Sequence, residues 1–189
     1  MRETAIHEMG HALAYYLLGH PLLGIQVWGQ EPSRGETMVE PFDTGRPSAD
    51  AHRAALLAAL AGPVAEFLDR GCSADEIALQ KIVVRGDDRD LVDAAVHEAA
   101  LVPGNDEAQA YLRKRAQGLV QSLLRPHLPV LREGAAWLLN TAVDDKGWKR
   151  VSGEAVEQFL RDRGVSPRCS KRALSSGDWA CEFVTALPY

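Results

Sequence analysis

The 189-residue chain has the size of one domain, and 46% hydrophobic against 25% charged residues is the balance of a globular protein, which excludes a disordered tail, a collagen-like fibre and a multi-domain machine. A net charge of -5 argues against nucleic acid as a partner, because gripping a phosphate backbone needs clustered Lys and Arg. A domain of this size buries roughly 70% of its unfolded surface, so its stability requires no structural metal, and a bound metal is expected to serve chemistry.

Ile6, Met9, Leu13, Tyr16 and Leu17 recur at three- and four-residue steps and predict an amphipathic helix over about 3–18, ended by Gly19 and Pro21. Leu22 to Trp28 and Glu36 to Val39 are short strand candidates joined by the turn-rich Glu31-Pro32-Ser33-Arg34-Gly35, which predicts a small hairpin or sheet edge. Pro41 to Pro47 reads as a loop, and Ala49 to Arg70 as a largely buried helix that Pro63 should kink or restart. Further helical patterns cover about 74–84, 89–101, 106–124, 128–141 and 152–163, with Arg113-Lys114-Arg115 read as the solvated face of one of them. Beyond Val165 the pattern breaks at Pro167, Ser170, Ser175, Ser176 and Gly177, although Trp179, Phe183 and Tyr189 could dock back. The expectation is a mainly α domain over 1–164 with a small β-hairpin or sheet near its start, followed by a partly ordered extension over 165–189.

No stretch approaches the ~18–20 uninterrupted apolar residues of a membrane-spanning helix, no signal-peptide core follows Met1, and no GxxxxGK[ST] phosphate loop is present, so no membrane contact and no P-loop nucleotide chemistry is expected of this chain. Cys72, Cys169 and Cys181 form no CxxC pair and leave one over in any pairing, which reads as reduced thiols in the cytoplasm.

The sharpest chemical signal is His7-Glu8-Met9-Gly10-His11. On a helix, histidines four apart lie one turn above each other and aim at one ion, while Glu8 sits to the side where an activated water would lie. Two such histidines can also be solvent-facing or hydrogen-bonded in a core, but an H-E-x-x-H match arises by chance in on the order of one chain in a hundred or fewer at this length, which favours metal. Two imidazoles and one further protein ligand leave zinc an open position for water, whose proton Glu8 could take and pass to a leaving amine. Gly10 costs a helix roughly 1 kcal/mol against alanine, so it suggests another backbone packed close by. Spacing does not select the third ligand: Glu66, Asp87, Asp88, Asp90, His52 and His97 all remain candidates.

The run Ala5-Ile-His-Glu-Met-Gly-His-Ala-Leu-Ala14 resembles the zinc-site helix of the FtsH-type ATP-dependent metalloproteases. Gly35-Glu-Thr-Met38 with Pro41 is similar to their G-x-T-M-x-x-P strand, Ala61-Gly-Pro-Val-Ala-Glu66 to G-G-R-A-A-E, and Gly86-Asp-Asp-Arg-Asp-Leu91 to G-A-S-N-D-L, all in the family's order. The likeness runs from about Ala5 to Arg163. It implies a helical, zincin-like peptidase domain in which His7, His11 and Asp90 hold zinc, Glu8 is the general base, and Glu66 lies behind the ligands or replaces Asp90. It further implies that the strand at Thr37 and Met38 pairs with an extended protein or peptide substrate. The family's membrane helices and ATPase ring have no counterpart here, so two expectations stand, a short stand-alone zinc endopeptidase or a trimmed piece of a longer protein, with a separate ATPase partner and homo-oligomeric assembly as the associations that the resemblance suggests. Pro63 in place of the motif's arginine, and Asp87-Asp88-Arg89 in place of A-S-N, depart from the pattern and make the surroundings more acidic. The alternative expectation is a catalytically weak module that keeps the peptidase fold for binding or regulation.

Overall fold

The computed structural model describes residues 1–28, 34–41, 48–72, 89–141, 144, 146–169 and 181–188. Helix α1 (Arg2–Leu17) runs through the centre, burying Ala5, Ile6, Met9, Ala12, Leu13 and Leu17. Beside it lies a three-stranded antiparallel sheet in the order β2 (Gly35–Val39), β1 (Leu22–Trp28), β3 (Trp148–Ser152). Central β1 sets Ile25 opposite both Thr37 and Val151, and buries Ile25 and Val27.

The sequence predicts the hairpin but not β3. Only Val151 of Trp148-Lys-Arg-Val-Ser is buried, so the segment carries little local strand signal and owes its conformation to pairing with β1. Trp28 and Trp148 face each other across that pairing edge to face, ring centroids 5.1 Å apart.

The helical run after the hairpin breaks at Leu60 into α2 (Ala49–Ala59) and α3 (Ala61–Asp69). Pro63 falls in the first turn of α3, where its missing N–H deprives the helix of no internal bond, so it restarts the helix as expected. Taken as one run, Ala49–Asp69 spans 21 residues and holds a stretch of mean hydropathy 1.2, long and apolar enough by length and composition to cross a membrane, although Asp50, Arg53 and Glu66 interrupt it as the sequence count has it; 78% of that stretch is buried inside the fold, where a core helix spends its apolar surface. Then follow α4 (Arg89–Leu101), α5 (Asp106–Leu124), a 3-10 turn (Arg125–His127), α6 (Leu128–Asn140), α7 (Gly153–Asp162) and the short α8 (Glu182–Thr185). Ser48, Asn105 and Ser152 cap α2, α5 and α7, each side-chain oxygen accepting a backbone N–H three residues on. The expected helix over 74–84, the loop residues 42–47, Asp87, Asp88, Trp179 and Tyr189 lie outside the described residues.

Two expectations change. Arg113 turns inward from the basic run and pairs through its guanidinium with fully buried Glu98, fastening α5 to α4, while Lys114 and Arg115 stay exposed. Cys169 and Cys181 are joined as a disulfide, their Cα atoms 5.3 Å apart, leaving Cys72 free, so the reading of all three cysteines as reduced is corrected and the cysteine count carries no weight about compartment. Sequence spacing cannot anticipate this pairing, because what aligns the two residues is the return of the chain onto the core. Backbone N–H groups of Arg168 and Cys169 donate to the Leu17 carbonyl, and Val165, Val184 and Leu187 join the hydrophobic core.

The tightest crossing is that of α1 and α3. A Cβ placed on Gly10 would lie 2.5 Å from the Ala65 Cβ and 2.8 Å from the Ala61 carbonyl oxygen. Gly10→Ala should therefore wedge the helices apart and cost about 1–3 kcal/mol, read as a fall in the thermal unfolding midpoint of roughly 2–4 °C per kcal/mol. An unchanged midpoint would mean that the crossing relaxes freely.

Candidate metal centre

The α1–α3 crossing governs where the histidines point. His7 and His11 sit one turn apart on the face of α1 that meets α2, α3 and α4. The outer nitrogen of each is engaged: His11 Nδ1 donates to the Ala58 carbonyl at 2.8 Å, and His7 Nδ1 donates to Glu66 Oε1 at 2.7 Å. A carbonyl can only accept, so His11 carries its proton on Nδ1 and turns the lone pair of Nε2 inward. Arg70, itself bonded to Glu3, also donates to Glu66 and holds its carboxylate toward His7.

The two inward Nε2 atoms are 3.1 Å apart, and Asp90 Oδ2, from the first turn of α4, is 2.7 Å from that of His7 and 3.2 Å from that of His11. Two imidazole lone pairs and a carboxylate oxygen facing one point repel one another unless a cation lies among them, and nitrogen and oxygen donors at this spacing are what a first-row divalent ion accepts. His7, His11 and Asp90 form a group that could hold a metal ion. Gly62 gives the rings their room, since a Cβ there would strike both Nε2 atoms.

Glu8 is 5% exposed. Its Oε2 and its own carbonyl oxygen both accept from Thr37 Oγ1, at 2.8 and 3.0 Å, and a Cβ on Gly35 would collide with its carboxylate, so β2 presses against this side chain. Burial pushes the Glu8 carboxyl up against the pull of His11, His7 and the Thr37 hydroxyl, the setting of a proton acceptor whose acid form is also within reach. Burial opposes charge on His7, yet the hydrogen bonds to Asp90 and Glu66 outweigh it and push His7 up to about 10. Burial likewise opposes charge on Asp90, and the bonds to His11 and His7 hold its carboxyl well below the usual range. The metal-free site thus retains a proton where a metal ion would place its charge.

A cavity of about 760 Å³ opens over these groups, walled by His7, Glu8 and His11, by Gly35 and Thr37 on β2, and by Trp148 on β3. Among the described residues Thr37 lines it and Met38, the other residue expected on the substrate strand, does not. Glu66 bonds the far nitrogen of His7, away from the converging three. His52 and His97 instead bond each other, their Nδ1 atoms 3.0 Å apart across α2 and α4, and His97 alone of the pair reaches the cavity wall. Sequence reasoning missed Tyr15, which lines the cavity four residues beyond His11; that same four-residue step was the available signal. It also missed the bond of Thr37 to Glu8, for which no local signal exists.

No family model matches the sequence, and no curated protein matches it.

Because metal uptake must displace the proton held on His7, zinc affinity should rise with pH through the neutral range, and calorimetric titrations in two buffers of different ionisation enthalpy should register proton release. Asp90→Ala should abolish stoichiometric binding, and Glu66→Gln should weaken it by roughly 10–100-fold. Equal affinity in all three proteins would separate metal binding from this group.

Proposed function

We propose that the chain is a zinc-dependent metallopeptidase that hydrolyses peptide bonds in unfolded or extended polypeptide segments. The observation carrying this reading is the convergence of His7 Nε2, His11 Nε2 and Asp90 Oδ2 beside a buried, proton-seeking Glu8. Two imidazoles and one carboxylate suit zinc and leave it a coordination position for chemistry. When bound, zinc supplies Lewis-acid character, acidifying water and polarising the peptide carbonyl.

Glu8 takes a proton from the water that attacks the carbonyl carbon, then returns it to the amide nitrogen as the C–N bond breaks, releasing a carboxylic acid and an amine. Thr37 keeps the Glu8 carboxylate turned to the sheet side of the site, and Glu66 with the Ala58 carbonyl keeps both imidazoles in the tautomer that presents Nε2. On its far side from β1, β2 is an edge among the described strands, and Thr37 on it lines the cavity. An extended substrate pairing with that edge would gain backbone hydrogen bonds that do not depend on side-chain identity. The motif resemblance to FtsH-type peptidases supports the same assignment of Glu8 and of the three ligands. It extends the proposal to a separate ATPase that supplies unfolded chains and to assembly as a homo-oligomer.

Glu8→Gln should retain about one zinc per chain while casein cleavage falls by roughly 10²–10⁴-fold, and Asp90→Ala should lose metal and cleavage together. Elemental analysis and a cleavage assay on the same preparations check both. Full cleavage by Glu8→Gln would sink the mechanism, and a zinc-loaded wild type that cleaves nothing, with or without an ATPase, would favour the binding-module alternative.

A further inference from the structure

Two histidines that spacing leaves open as third ligands, His52 and His97, stand apart from the converging three and form a pair of their own. His52 lies in the first turn of α2 and His97 in the middle of α4. Their Nδ1 atoms are 3.0 Å apart, against 3.1 Å between the inward nitrogens of His7 and His11. The rings are tilted by 53° with centroids 5.3 Å apart, so they meet nitrogen to nitrogen and not face to face. Two imidazole nitrogens at that spacing can share one proton or one metal ion.

The surroundings favour an ion. His97 and Asp93 both line the cavity, which gives an ion and its water ligands a way in. Asp93 precedes His97 by one turn of α4, and side chains four apart on a helix have Cβ atoms about 5–6 Å from each other. The Asp93 carboxylate is exposed and makes no hydrogen bond or ion pair among the described residues, so its negative charge stands beside the pair without a cation of its own. Burial pushes His97 down from the ordinary imidazole range, and the facing His52 ring pushes the same way against the pull of Asp93, which keeps His97 in the neutral form that a metal ion requires.

We propose that His52 Nδ1 and His97 Nδ1 form a second metal site on the wall of the same cavity, taking one divalent ion of the class that imidazole prefers, zinc, nickel or copper, with cavity water completing its coordination. The ring that donates through Nδ1 passes that proton through water to its own Nε2, and both Nδ1 lone pairs then face the ion. Helix α2 supplies the Ala58 carbonyl that fixes His11, and α4 supplies Asp90, so an ion held between His52 and His97 fastens the two helices that complete the first centre. The inference goes beyond the peptidase reading and does not rest on hydrolysis at that centre. With two protein ligands against three, this ion binds more weakly than the first and leaves on dialysis.

The test is calorimetric titration of zinc into wild type that already carries its dialysis-resistant zinc. Wild type should take up a second, weaker equivalent, and its unfolding midpoint should rise by roughly 5–10 °C when zinc stands at about a hundred times the second Kd. His52→Gln and His97→Gln, which keep a hydrogen-bonding side chain between the helices, should retain the first zinc and lose both the second equivalent and the rise. During the second addition the imidazole ¹⁵N resonances of His52 and His97, and of no other histidine, should move. His7→Gln/His11→Gln should lose the first equivalent and keep the second. No second equivalent in wild type at millimolar zinc would overturn the proposal and leave the first centre standing, as would a second equivalent that persists in both single variants and therefore binds elsewhere. Loss of both equivalents in His7→Gln/His11→Gln, with its unfolding midpoint unchanged, would overturn the independence of the second site.

Discussion

Close approach of α1 to α3 is the constraint from which the centre follows. With a side chain at Gly10 the helices would stand apart, and with one at Gly62 the imidazole rings would have no room to lie inward. Because both positions are glycine, the Ala58 carbonyl and the Glu66 carboxylate come within hydrogen-bond distance of the outer nitrogens of His11 and His7. Each ring is then held at two ends, by its helix backbone and by a fixed acceptor, and the inner nitrogens meet 3.1 Å apart. Rigid elements carry all the converging groups, as a site that must hold geometry to fractions of an ångström requires.

The division of labour among the three nearest carboxylates follows from what each touches. Asp90 meets the inner nitrogens, Glu66 an outer one, and Glu8 neither, its oxygens drawn toward β2 by the Thr37 hydroxyl. On the proposed reading, one chemical group thereby serves as ligand, as orienter of a ligand and as proton acceptor, separated by a few ångströms of packing. The sheet is therefore part of the centre: β1 holds β2 in position, β3 secures the other side of β1, and the Trp28–Trp148 contact closes the end nearest the cavity.

Much of this was legible in the sequence because it is local. The four-residue step between His7 and His11, the apolar stripe of α1, the hairpin composition, the restart at Pro63 and the tight packing implied by Gly10 all depend on neighbours along the chain. Asp90 and Glu66 came into view through motif resemblance, since spacing alone left six candidates open. What escaped was made by distant partners: β3 exists through pairing with β1, Arg113 turns inward because Glu98 is buried opposite it, and Cys169 meets Cys181 because the chain end folds back on Leu17. Tyr15 escaped for a different reason, being hidden in a helix pattern that already explained an aromatic residue as core.

The pairing of Thr37 with Ile25 reaches beyond the sheet itself. Side chains alternate across a strand, so sliding β2 by one residue would bring a neighbour to the place where Thr37 meets Glu8. Glu36 there would set a second carboxylate against the first and make it a weaker acid still, whereas Met38 would offer no proton to share. Hairpin register thus acts as a tuning screw on the acidity of a residue in a different secondary-structure element. Insertions or deletions in the β1–β2 connection would shift the pH at which the Glu8 carboxyl loses its proton while leaving His7, His11 and Asp90 untouched.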